Sequence, residues 1–246
     1  MRDVVLVTGG GRGIGAAIAK GAAARFDGVA ITYASNGEAA EATRKAVEAA
    51  GAACCAISNL ASEPGEVEAL FDEVEARLGP VTALVNNAGI TGRIGAFTDV
   101  AFETMRDVVA VNLISPMLLS QAAIRRWQKS GIKGRIVNVS SVAAKLGAPG
   151  EYIPYAAAKA GIETFTHGLA KEVAGQDIRV NAVAPGTTMT DIHAAAGEPG
   201  RPARVAQKIP MGRVAEPGEI ANAVLWLLSE EASFVTGETI AVTGGL

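Results

Sequence analysis

Short apolar runs alternate with longer stretches in which apolar positions return every three or four residues, almost from end to end of the chain. The short runs lie at 4–7, 29–33, 52–57, 83–86, 135–139, 179–184 and 239–242, and several are unbroken in their apolar character. A strand needs an unbroken run when both faces of its sheet are covered, whereas a strand with one wet face alternates. Between the runs, Val67, Leu70, Phe71, Val74 and Leu78 follow helical spacing, and Gly79-Pro80 closes that helix. Strand and helix in alternation predict an α/β fold with a parallel, doubly wound sheet and right-handed crossovers. No linker, repeat or charge block divides residues 1–246, so a single domain is expected.

One stretch, 185–210, breaks the rhythm with Gly197, Pro199, Gly200 and Pro202. Long irregular segments in compact domains are usually functional or disordered, and this one follows the C-terminal end of a strand. It reads better as a lid over a ligand than as a surface excursion.

Composition narrows the class. Aromatics make up 4% of the chain, so the core is built from Ala, Val, Ile and Leu. With 19% charged residues and a net charge of −3, the chain has no electrostatic grip for nucleic acid or an anionic membrane. Cys54 and Cys55 are adjacent inside an apolar run and read as buried strand residues rather than as a disulfide or metal pair. No apolar stretch reads as long enough to cross a bilayer and no leader pattern precedes the first strand, so a cytoplasmic location is expected. His167 and His193 lack metal-type companions and read as helix-surface or loop residues. Trp127 and Trp226 read as packing residues.

The first strand runs into Thr8-Gly9-Gly10-Gly11-Arg12-Gly13-Ile14-Gly15, and a helical pattern follows. Glycines there permit a tight turn and let backbone approach a pyrophosphate, which the helix N-terminus attracts. The spacing from Gly9 is G-x-x-x-G-x-G, and its place in the first βα unit makes dinucleotide binding the better reading than a plain loop. An acid at the end of the second strand would hold the ribose 2′-hydroxyl of NAD(H), but this chain has Ala34-Ser35-Asn36. Ser35 and Asn36 offer hydrogen bonds to a 2′-phosphate and Arg12 offers charge, so NADP(H) is expected over NAD(H).

Tyr155 and Lys159 stand one helical turn apart, which places a phenol beside a cation. A neighbouring ammonium favours the phenolate and brings the tyrosine towards the range useful for proton transfer. Ser140-Ser141 ends an apolar run upstream, and either serine also suits a turn or a cap. Tyr152 is a rival phenol, but Pro154 disturbs the helix start between it and Lys159.

These landmarks, with Asn86-Asn87-Ala88-Gly89, Asn112 and Pro185-Gly186 in the same order, resemble the classical short-chain dehydrogenase/reductase family over essentially the whole chain. The resemblance implies a three-layer Rossmann-like fold with a seven-stranded parallel sheet. It implies a catalytic set of Asn112, Ser141, Tyr155 and Lys159. Tyr155 would exchange a proton with the substrate oxygen, Ser141 would hydrogen-bond that oxygen, and Lys159 would hold the nicotinamide ribose and depress the Tyr155 pKa. Asn112 would hold a relay water. The cofactor would lie against Gly9, Arg12, Gly13, Ile14, Gly15, Ser35, Asn36, Asn59, Leu60, Asn87, Ala88, Gly89, Tyr155, Lys159, Pro185, Gly186, Thr188 and Thr190. Asn86 would brace its strand to a neighbour.

The implied activity is carbonyl–alcohol oxidoreduction on a small molecule, by a homo-oligomer that is commonly a tetramer. A 3-oxoacyl-(acyl-carrier-protein) reductase is the runner-up, with Lys133, Lys171 and the Arg125-Arg126-Lys129 cluster as candidates for an acidic partner. A non-catalytic NADP-binding sensor ranks lower, because the Tyr and Lys are both present.

Overall fold

The computed structural model describes residues 2–59, 61 and 63–246. The strands β1 (Val4–Val7), β2 (Gly28–Tyr33), β3 (Ala53–Ser58), β4 (Ala83–Asn86), β5 (Arg135–Val139), β6 (Arg179–Pro185) and β7 (Thr239–Val242) form one seven-stranded sheet. All pairings are parallel and the spatial order is β3-β2-β1-β4-β5-β6-β7. Every run read from the sequence is a strand, with ends moved by one residue at β2, β3 and β6.

The helices are α1 (Gly13–Ala22), α2 (Gly37–Ala49), α3 (Pro64–Leu78), α4 (Phe102–Val109), α5 (Ser115–Ser130), α6 (Ala143–Leu146), α7 (Ile153–Val173), α8 (Ile192–Ala195), α9 (Arg201–Ala206) and α10 (Pro217–Leu228). The strand β1 shows why its run is unbroken. Val5 and Val7 pack with Ile18 and Ala19 of α1 and with Ile220 and Val224 of α10. Val4 and Leu6 point to the other face, among Leu70, Phe71 and Val74 of α3 and Leu119 and Ala123 of α5. Each such side chain, taken fully out of water, contributes about 1.5–3 kcal/mol.

A π-helical turn, Ala110–Ile114, joins α4 to α5 and makes one helical run from 102 to 130. That run of 29 residues has a mean hydropathy of 1.5 in its most apolar window, long and apolar enough to span a membrane by length and composition. This corrects the sequence reading that no apolar stretch is long enough to cross a bilayer. In the fold Leu119, Ala122, Ala123, Ile124 and Trp127 of this run are buried in the core layer that α3 shares.

Asn86 braces β4 to β5 as expected: its Nδ2 donates to Asn138 Oδ1 at 2.8 Å, and Asn138 Nδ2 donates to Thr166 Oγ1 of α7 at 2.9 Å. The sheet order reverses direction between β1 and β4. The loops leaving those two strands therefore part at their C-terminal ends and open a cleft.

Candidate active site

The cleft, about 1070 Å³ in volume, begins at the loop after β1. Gly9 turns there with φ +63°, a conformation that a side chain would strain. The loop is stitched to the one after β4: Thr8 Oγ1 accepts from the Asn87 and Ala88 amides at 3.0 Å, and Asn87 Nδ2 donates to Thr8 O at 2.8 Å. Helix α1 then starts with no acidic residue in its first turn, so its free amides present positive potential to the cleft. A Cβ on Gly15 would lie 2.2 Å from Gly9 O, and one on Gly89 would lie 2.7 Å from Asn112 Oδ1. Gly9, Arg12, Gly13, Ile14 and Gly15 line one side, with Asn87, Ala88 and Gly89 opposite. These residues fit a dinucleotide: an anion at the amides of α1, and a glycine-lined path onward to Lys159.

At the outer rim, Ser35 and Asn36 line the cleft and are exposed. Asn36 Oδ1 is engaged in capping α2, accepting from the Ala39 amide at 2.9 Å. Arg12 Nη1 lies 3.7 Å from Asp191 Oδ2, both side chains being more than half exposed. Asn59 also lines the cleft, while its own amide group holds the turn beyond β3 by donating to Glu66 O. Leu60, expected beside the cofactor, lies outside the described residues.

Helix α7 carries the chemistry. Pro154 sits in its first turn, where a missing N–H costs nothing, so Tyr152 stays outside the helix as its cap. Tyr155 and Lys159 are both buried, with the Lys159 Nζ 5.6 Å from the Tyr155 ring centre. The serine pair splits. Ser140 Oγ turns inward and donates to Lys159 O at 3.2 Å or Glu163 Oε1 at 2.9 Å. Ser141 lines the cleft beside Tyr155 and accepts from the Ala143 amide at 3.1 Å. Asn112 lies in the π-helical turn, fully buried, with Nδ2 donating to Ile90 O at 2.7 Å and Val108 O at 2.8 Å. Its Oδ1 has no hydrogen-bond partner among the described residues.

The electrostatics correct one expectation. Burial pushes the Tyr155 phenol above its ordinary value, while the Ser141 hydrogen bond and the Arg201 charge pull it back. The net direction is upward, opposite to the expected depression, and the Lys159 Nζ is turned to Val139 O at 2.7 Å. Burial lowers the Lys159 ammonium from its ordinary 10.5 to about 8.

The irregular stretch 185–210 carries two short helices, α8 and α9. Pro185, Gly186, Thr188 and Thr190 line the cleft, and Thr188 is buried with its Oγ1 donating to Gly186 O at 3.0 Å. His193, read as a surface or loop residue, is in fact buried and its Nε2 donates to Thr188 O at 2.9 Å. Burial keeps its pKa below the ordinary histidine value. His167 is exposed as expected. Cys54 and Cys55 are free thiols on β3, and Trp127 is fully buried.

Sequence reasoning missed Glu151 and Arg201, which line the cleft together with Tyr152. Fifty residues separate the two charges, and nothing local signals that they meet. The basic candidates for an acidic partner lie elsewhere. Arg126 is tied to Glu68, Asp72 and Glu75, and Lys133 to Asp177. Lys133 precedes β5, and the others sit in the last turns of α5 and α7, whose parallel crossovers return the chain to the edge of the sheet away from the cleft.

Comparison with known proteins agrees with this arrangement. A family model described as enoyl-(acyl carrier protein) reductase matches residues 9–246. An uncharacterized oxidoreductase of Escherichia coli, YgfF, is 43% identical over 244 residues, covering 98% of this chain and 99% of its own. The 3-oxoacyl-(acyl-carrier-protein) reductase FabG of the same organism is 41% identical, covering 99% of this chain and 96% of its own. A solved mutant of a Serratia marcescens short-chain dehydrogenase/reductase superposes with a TM-score of 0.90 at 32% identity, covering 99% of this chain and 97% of that one. The fold, the order of its landmarks and these full-length matches together place the chain in the classical short-chain dehydrogenase/reductase family, whose members are oxidoreductases that use nicotinamide cofactors on small molecules.

Proposed function

We propose that this protein is an NADP(H)-dependent enzyme that interconverts a carbonyl and a secondary alcohol, with Tyr155 as general acid and base. The observation that carries this reading is the meeting of Tyr155, Ser141 and Lys159 at the inner end of a cleft that starts at the glycine loop, with Asn112 buried behind Gly89 of the same wall. The nicotinamide, when bound, supplies or accepts the hydride. The chain's residues handle the proton. Tyr155 gives it to the carbonyl oxygen or takes it from the alcohol, and Ser141 holds the same oxygen as its charge develops. Lys159 would hold the ribose hydroxyls of the cofactor, and its charge would support the phenolate. Asn112, anchored through Nδ2, keeps Oδ1 free to accept from a water that passes the proton outward.

The preference for NADP(H) rests on the absence of an acid at 34–36 and on Arg12, Ser35 and Asn36 at the rim. We read residues 1–246 as one domain and 185–210 as its lid. A homotetramer fits the exposed apolar side chains of α4 and α7, and free cysteines fit a cytoplasmic location.

A second reading, reduction of a 3-oxoacyl group on an acyl carrier protein, is favoured by the name of the FabG relative and by exposed Arg93, Arg204 and Lys208 at the cleft. NADPH oxidation measured over ketones, aldehydes, sugars and acyl thioesters tests both. Turnover of some carbonyl by the wild type and its loss in Tyr155→Phe, with NADPH binding intact, is the expected result. Full turnover by Tyr155→Phe would refute the mechanism.

A further inference from the structure

The structure assigns Arg201, on the lid helix α9, the role of a positioning residue that acts on Tyr155 through Tyr152 and Glu151. This rests on the acid–base reading of Tyr155 and names the group that ties lid closure to it.

The contacts form a continuous line. The Arg201 side chain is only 11% exposed and its Nη2 lies 2.7 Å from Glu151 Oε2, with Nε donating to the same oxygen at 3.2 Å. Its guanidinium carbon sits 5.3 Å from the centre of the Tyr152 ring. That ring meets Tyr155 edge to face, with centres 5.4 Å apart and planes at 89°. Tyr152 precedes the first residue of α7, so the helix itself does not fix its side chain. Arg201 above the ring and the Glu151 clamp beside it hold Tyr152 in place, and Tyr152 in turn forms a wall of the Tyr155 seat.

Charge travels along the same line. The groups that face Tyr155 are Lys159 on its own helix, Ser141 after β5, Tyr152 and Glu151 before α7, and Arg201 from the lid. Behind Arg201 stand Arg204 and Glu198, which pair with each other, and His193 on α8. Glu151 is shared between Arg201 and Arg204, so one carboxylate answers two guanidinium groups. Against the burial that raises the phenol, the Arg201 charge favours the phenolate of Tyr155. Since Arg201 belongs to 185–210, a raised lid takes that charge away and leaves the phenol both less acidic and less firmly seated. Lid closure therefore completes the proton donor.

The test compares Arg201→Gln, Arg201→Lys and Glu151→Gln with the wild type, measuring kcat and KM for a turned-over carbonyl across pH, and NADPH binding by fluorescence. Arg201→Gln should lower kcat about tenfold and move the alkaline limb of the reduction profile upward by about half a pH unit, with NADPH affinity unchanged. Arg201→Lys keeps the charge but not the clamp, so its limb should stay in place while kcat falls less. Glu151→Gln should lower kcat without moving NADPH affinity. If Arg201→Gln is too unstable to assay, wild-type kcat in both of the other variants overturns the inference. An unmoved limb in Arg201→Gln overturns it too, as does a raised KM with unchanged kcat, which would make Arg201 a reader of substrate. Tyr155→Phe run alongside separates the two levels: an active Tyr155→Phe refutes the acid–base mechanism itself, whereas an inactive one with a normal Arg201→Gln profile refutes only the role of Arg201.

Discussion

Lys159 meets two demands that pull against each other. It must be charged to serve a phenolate, yet it is buried, and burial lowers its pKa from 10.5 to about 8. Between those two values the unfolded chain binds more protons than the folded one, so the stability linked to this group rises with pH across that window and is weakest below about pH 8. The full span is on the order of 3 kcal/mol. Melting temperatures of the cofactor-free protein and of Lys159→Met, taken from pH 7.5 to 9.5, should diverge in favour of the wild type as pH rises. Parallel curves would show that the lysine titrates normally. The sequence disclosed the Tyr155 and Lys159 pair because helical spacing is local. It did not disclose which serine faces the phenol, since that depends on how Ser140 meets α7. Nor did it disclose the Lys159 bond to Val139, which links two elements across the fold.

Among the elements, the end of β2 and the π-helical turn differ in how far they can be read. The turn after β2 is legible: the side chains that follow Tyr33 and line the rim of the cleft, Ala34, Ser35 and Asn36, are there to be seen. An Asp at Ala34 would accept from ribose hydroxyls and repel a 2′-phosphate. Ala34→Asp should therefore lower the ratio of kcat/KM for NADPH over NADH by about tenfold or more. An unchanged ratio would dismiss this turn as the selector. The π-helical turn is not legible. Asn112 reads as a polar interruption of an apolar helix, whereas in the fold its amide ties Ile90 O to Val108 O. The stretch 185–210 is intermediate: its glycines and prolines mark a departure, but the two helices within it and the burial of His193 come from packing against Thr188 and the cleft.

For the whole molecule, strand order and layers follow from the alternation of runs, because a chain that buries both faces of a parallel sheet has few ways to connect it. What lies outside the monomer follows from its surface. Phe102 is 71% exposed on α4, Ile114 is 43% exposed in the π-helical turn and Ile153 is 37% exposed at the start of α7. Such side chains on neighbouring helices call for a covering surface, in keeping with the proposed tetramer. Sedimentation should find a tetramer for the wild type and smaller species for Phe102→Asp. A monomeric wild type would dismiss the assembly.

The bond between Asn86 and Asn138 has a consequence beyond bracing. These residues are partners in the β4–β5 register, so a slip by one position would set Asn86 against Val137 or Val139 and break the bond between the two amides. The strands that lead into the Gly89 loop and the Ser141 loop are thereby locked in step. The frame beneath the reacting end of the cleft is thus set by the sheet, and only what is laid over that frame depends on the stretch 185–210.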